Sequence, residues 1–140
     1  MIGRFGTTSA LILCAGLAHA FCEDMDRVAT GGGILNLPGT GLSAECTTSL
    51  ILGGGTQVQC GWPFAYRADE ATAAFERLNE AVAACLGPTA TASHDQSVNH
   101  PDFYDLRLYQ AEGQETAVSL KDKAALRQTY VFLRTARTAP

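Results

Sequence analysis

Between residues 67 and 88 the chain reads RADEATAAFERLNEAVAACLGP, and its apolar positions recur with helical spacing. Ala71, Phe75, Leu78, Val82 and Cys85 stack on one stripe of an α-helix at alternating separations of four and three. Glu70, Thr72, Glu76, Arg77, Asn79 and Glu80 fall on the opposite, polar face. Asp69 is the expected N-cap, Asp69 and Glu70 suit the helix dipole, and Gly87-Pro88 is the stop. The pattern predicts a helix of about 17 residues, roughly 25 Å long.

Residues 44–66 switch to a period of two. Cys46, Thr48 and Leu50 alternate with polar neighbours, as do Val58, Cys60, Trp62, Phe64 and Tyr66. Gly53-Gly54-Gly55 supplies a turn, so a hairpin is expected with Cys46 opposite Cys60 and Thr48 opposite Val58. Trp62, beside Cys60 and Phe64, reads as a core residue packed on that disulfide rather than a ligand platform. Pro63 cannot donate a ladder hydrogen bond, which suggests an edge or a bulge there.

Three further strands are expected at 103–110, 116–121 and 129–134, the first two joined by the turn Ala111-Glu112-Gly113-Gln114. Residues 121–126 read as a connection in which Lys121 and Lys123 are solvated turn residues. Residues 89–98 read as a polar loop, and 135–140 as a tail that frays. Residues 21–43 read as a short turn of helix or coil, then a glycine-rich loop laying Ile34, Leu35 and Leu37 against the core. The order ββαβββ gives an α+β fold over 44–134: one amphipathic helix on a mainly antiparallel sheet of about five strands.

The first 20 residues resemble a secretory signal peptide. Arg4 is the positive segment, residues 10–17 the apolar one, and Ala18-His19-Ala20 a small-x-small cleavage site. The apolar run is too short to span a bilayer, and Leu13 before Cys14 does not suit lipoprotein processing. Cleavage after Ala20 would leave four of the five cysteines, an even set suited to an oxidising compartment. Their spacing matches no zinc pattern. With Cys46 joined to Cys60, Cys22 pairs with Cys85 by elimination. The preference for Ala, and for Arg over Lys, suggests a bacterial chain, so the expected destination is the periplasm or the exterior.

The formal net charge of −4 with no basic run argues against nucleic acid and anionic membrane surfaces as partners. Gly31-Gly32-Gly33 lacks the lysine and hydroxyl of a phosphate loop. Leu37-Pro38-Gly39-Thr40-Gly41 resembles a sortase signal but lacks the apolar and basic tail that such a signal needs. Acid–base or metal-capable residues gather only at 93–105, where His94, Asp95, His100, Asp102 and Asp105 fall together. Polar loops hold such residues by default, so neither a metal, a cofactor nor a catalytic group is assigned.

Strand parity provides the remaining candidate. If Leu106, Leu108, Val118, Leu120, Val131 and Leu133 face the helix, then Arg107, Tyr109, Tyr130, Phe132 and Arg134 share the other face. Tyr, Phe and Arg are enriched at the energetic centres of protein interfaces. Two arrangements compete with this: residues 21–43 folded over that face, or an inverted last strand. The expected function is a small exported, non-catalytic factor that binds another envelope protein through this face. The alternatives are a metal-dependent or acid–base hydrolase using His94, His100 and Asp102, and a self-associating structural envelope protein.

Overall fold

The computed structural model describes residues 10–96 and 104–138, with side chains described over 19–96 and 104–137. Its strands are β1 (Gly33–Asn36), β2 (Ser43–Leu50), β3 (Gly55–Ala65), β4 (Thr91–Asp95), β5 (Tyr104–Ala111), β6 (Gln114–Lys123) and β7 (Gln128–Thr138). They form one antiparallel sheet in the order β1-β2-β3-β7-β6-β5-β4. Two helices, α1 (Ala10–Gly31) and α2 (Asp69–Leu86), pack against it. The fold is α+β with two disulfides, but the expectation of one helix on about five strands is corrected, among the described residues, to two helices on seven strands.

α2 follows its sequence pattern closely. Ala71, Phe75, Leu78 and Val82 are buried together with Ala74, and Gly87, at φ +80°, closes the helix by donating its N–H to the Ala83 carbonyl at 3.1 Å. The cap differs from expectation: Ala68 is the N-cap and makes no side-chain cap bond, which leaves Asp69 and Glu70 in the first turn. There they act on the dipole rather than as a cap.

The largest departure is residues 21–31, which form three turns of the continuous helix α1 rather than a short turn of helix or coil. Met25, Val28 and Ala29 are buried on one stripe of α1, and Val28 packs in the same core as Leu35 and Leu37. Three adjacent glycines obscure this helix in the sequence, because they end it rather than continue a loop. Gly32 makes the exit turn at φ +71°, and a Cβ there would sit 2.7 Å from the Cys46 carbonyl oxygen. β1 and β4 are edge strands whose sequences lack an alternating apolar face. All five residues of β4 are exposed, so backbone pairing with β5 alone defines it. At the other end of the chain, residues 135–138 pair with β3 rather than fray.

The hairpin register is the expected one. Thr47 pairs with Gln59 and Thr48 with Val58, so Cys46 meets Cys60 and the two are bonded. Cys22 is bonded to Cys85. Cross-strand partners share a face, which makes the layering explicit. Val58, Cys60 and Trp62 of β3, Val131 and Leu133 of β7, and Val118 and Leu120 of β6 form one core with Met25 and Val28 of α1 and Phe75, Leu78 and Val82 of α2. Both helices therefore lie on the same face. Leu35 and Leu37 are buried on that side, so residues 21–43 do not fold over the other face. Among the described residues no helix covers it, and no helix is long and apolar enough to cross a membrane.

The two disulfides close loops of different length, with separations of 63 and 14 residues. In the chain-entropy description these contribute about 4 and about 3 kcal/mol respectively. Urea unfolding of Cys22→Ala/Cys85→Ala and of Cys46→Ala/Cys60→Ala is expected to show a larger loss for the first pair, with both variants retaining the native circular dichroism spectrum at low denaturant.

Candidate functional site

The five candidate interface residues divide between the two faces. β5 pairs with β6 so that Arg107 lies opposite Val118 and Tyr109 opposite Thr116, and Val118 and Thr116 are both fully buried. Arg107 and Tyr109 are therefore on the helix-covered face, and Leu106 and Leu108 are on the open one. The expected parity of β5 is reversed. The cause is amphipathic packing near the sheet margin: each side chain lays its apolar body against the core and sends its polar end to α2. Arg107 donates to both carboxylate oxygens of Glu76 at 3.1 and 2.8 Å and crosses the Phe75 ring at 5.1 Å. Tyr109 donates its hydroxyl to Asn79 Oδ1 at 2.7 Å, while Asn79 Nδ2 donates to the Phe75 carbonyl at 2.8 Å. Asn79, assigned to the polar face by spacing, is buried, and this bond is the reason.

Tyr130, Phe132 and Arg134 of β7 lie on the open face, opposite Lys121, Ser119 and Ala117 of β6. The Tyr130 and Phe132 rings stack with centroids 5.3 Å apart and planes 7° from parallel. Phe132 also lies across Gly61 of β3, where an added Cβ would come within 2.9 Å of the ring. The absence of a side chain at Gly61 lets the ring lie flat on the sheet, an arrangement seen where aromatic residues cover strand glycines.

Around this pair runs a groove of about 360 Å³ crossing β3, β7, β6 and β5. Gln57 and Gln59 form one end and Tyr104 and Leu106 the other, with Lys121, Lys123, Phe132 and Arg134 between them. Lys121 and Lys123 are not turn residues, because β6 continues through Lys123. The Lys-Asp-Lys alternation sends Asp122 to the covered face, where it accepts from Arg67 Nε at 3.0 Å and from the Thr129 hydroxyl at 2.7 Å. The two lysines then project to the open face. Lys121 Nζ sits 5.7 Å from the centroid of the Tyr104 ring, and Arg134 reaches Glu115 at 3.5 Å. Burial pushes the Tyr104 hydroxyl above its ordinary value of 10.0, with Arg134 opposing the shift and Asp95 adding to it.

Of the residues considered for acid–base chemistry, His94 and Asp105 meet across β4 and β5. Their side chains are 2.7 Å apart, and Gln96 Nε2 donates to the other Asp105 oxygen at 3.2 Å. Asp105 is buried, so this contact with His94 and Gln96 satisfies a carboxylate that would otherwise be stranded. His100 and Asp102 lie outside the described residues. Among the described residues no three or more His, Cys, Asp or Glu side chains gather into a metal-binding group. Trp62 is buried in the core. Compared with known proteins, the chain matches no family model, no curated protein and no solved structure.

Burial is also the main cause that raises the Tyr109 hydroxyl above 10.0, with Arg107 opposing it and Glu76 reinforcing it. A raised tyrosine pKa means that the folded state holds its proton when the unfolded chain has begun to lose it. The stabilisation is complete below pH about 10 and is lost as pH rises through the folded value. Tyr109→Phe is expected to destabilise by about 1–3 kcal/mol at neutral pH, because Asn79 Oδ1 loses its donor in a buried site. It is also expected to flatten the decline of stability above pH about 10, which urea unfolding at a series of alkaline pH values measures directly.

Proposed function

We propose that this protein is a small exported accessory factor that binds another protein of the cell envelope through the open face of its sheet. The observation that carries the reading is the one-sided layering: both helices share one face, while the other presents a stacked Tyr130–Phe132 pair with Arg134 beside it. Stacked aromatics flanked by arginine are the composition of an interface centre. Two disulfides suit an oxidising compartment. Cleavage after Ala20 is compatible with the described packing, since His19 and Ala20 are exposed and, among the described side chains of α1, Phe21 is the first that packs against the core. The periplasm is the proposed destination, and binding rather than catalysis is the proposed activity.

The test is affinity capture from a native envelope fraction, quantified by mass spectrometry. Three baits are compared: the wild type, Tyr130→Ser/Phe132→Ser, and Glu80→Gln as a control on the exposed face of α2. A partner recovered with the wild type and the control is expected to fall roughly tenfold with the double variant, as when an aromatic anchor is removed from an interface centre. Equal recovery by all three folded baits would contradict the assigned surface. A concentration-dependent dimer, seen by light scattering and lost in the double variant, would replace this reading with self-association.

A further inference from the structure

The open-face groove has a charge opposite to that of the chain around it. The protein carries a formal net charge of −4 and only two lysines. Both lysines line this one groove, together with Arg134, and no acidic residue does so among its described lining residues. Two carboxylates stand on the same face at its margins: Glu115 meets Arg134 at 3.5 Å, and Asp95 pairs across the strands with Leu106. Between them the sheet uses a strict alternation: Asp122 turns inward to Arg67 and Thr129, and Lys121 and Lys123 turn outward.

From this we infer that the groove binds an acidic, extended segment of a partner protein, with carboxylates directed at Lys121, Lys123 and Arg134 and an apolar side chain laid on the Tyr130–Phe132 pair. The inference rests on the reading of the open face as a binding surface and specifies what that surface takes. Three features fix the class. The groove crosses four strands, so its floor spans three inter-strand spacings, roughly 14 Å, the length of about four extended residues. It is open along that length: of its lining residues only Ala117 is buried. That suits a chain segment lying across the sheet better than a small anion, which favours an enclosing site. The negative charge of the whole molecule disfavours a polyanion such as nucleic acid or an anionic bilayer, whose field acts over a wide surface. A short acidic segment needs attraction only within a screening length of about 8 Å.

Side-chain alternation in the bound segment adds a constraint. An extended chain points successive side chains to opposite sides, so acidic residues at alternate positions would meet the lysines together. The mixed cationic and aromatic lining calls for carboxylates beside one large apolar residue rather than for an unbroken acidic run.

The experiment is selection of a randomised hexapeptide library on the immobilised full chain, with counter-selection on Lys121→Gln/Lys123→Gln. Selected peptides are then measured by fluorescence anisotropy against the wild type, the lysine variant and Phe132→Ser, each checked for native circular dichroism. The expected result is enrichment of Asp and Glu with one aromatic or aliphatic residue. Affinity should fall about tenfold or more in the lysine variant, and binding should weaken with added salt. Selected peptides without acidic excess, or peptides that bind the lysine variant equally well, would overturn the inference, as would a library that yields no specific binder. If envelope capture still depends on Tyr130 and Phe132 in that case, the surface reading stands and only its acidic occupant fails. If capture is also indifferent to them, both fail.

Discussion

Cys22 lies midway along α1 and Cys85 in the last turn of α2, and the bond between them holds the two helices side by side on the sheet. Much of the architecture follows from that juxtaposition. A sheet of seven strands has two faces to satisfy, and a single helix of 18 residues cannot cover one of them alone. α1 extends the covering layer over β1 and the Cys46–Cys60 end of the hairpin, where Met25 and Val28 meet Leu35, Leu37 and Ala44. With both helices committed to one side, the opposite side is left to its own side chains. It manages this exposure by stacking Tyr130 on Phe132, laying Phe132 over Gly61, and placing lysines where a continuous apolar patch would otherwise form.

The parts of the fold readable from sequence are those whose burial is periodic and whose ends are marked. α2 has a stripe, acidic first-turn residues and a Gly-Pro stop. The β2–β3 hairpin has two alternating runs around three glycines, and its cysteines fix the register. What could not be read has specific causes. α1 is hidden because its described core residues lie between a segment resembling an export signal and a run of three glycines. β4 has no buried side chain, so no pattern of apolar positions can reveal it. β5 misleads because leucine is more apolar than arginine and tyrosine, and alternation alone assigns leucine to the core. Glu76 and Asn79 on α2 reverse that assignment by offering Arg107 and Tyr109 polar partners above an apolar floor.

The same reversal redistributes the candidate site. Arg107 and Tyr109 join the helix to the sheet, and Leu106 takes a place in the groove instead. Lys121 and Lys123 are strand rather than turn residues, and the sequence carries a signal for it: a Lys-Asp-Lys run directly continuing the alternation of β6. The inward Asp122, bonded to Arg67 and Thr129, makes this a strand end with a defined outward face. His94 and Asp105 follow a similar logic on the covered side, where a contact between two acid–base residues satisfies a buried carboxylate. One-sided covering thus unites the disulfide between the helices, the parity of β5 and the cationic groove.

The most direct test of that covering is residue-resolved solvent accessibility in solution. Paramagnetic relaxation by a soluble, neutral gadolinium chelate can be measured by NMR on dilute protein. Strong enhancement is expected at the ring edges of Tyr130 and Phe132 and at the side chains of Lys121 and Lys123, with little at Trp62, Phe75 and Tyr109, which the helices cover. Protection of Tyr130 and Phe132 to the level of Trp62 in the monomer would contradict the account, because it would place a covering layer on the face that the two helices leave open.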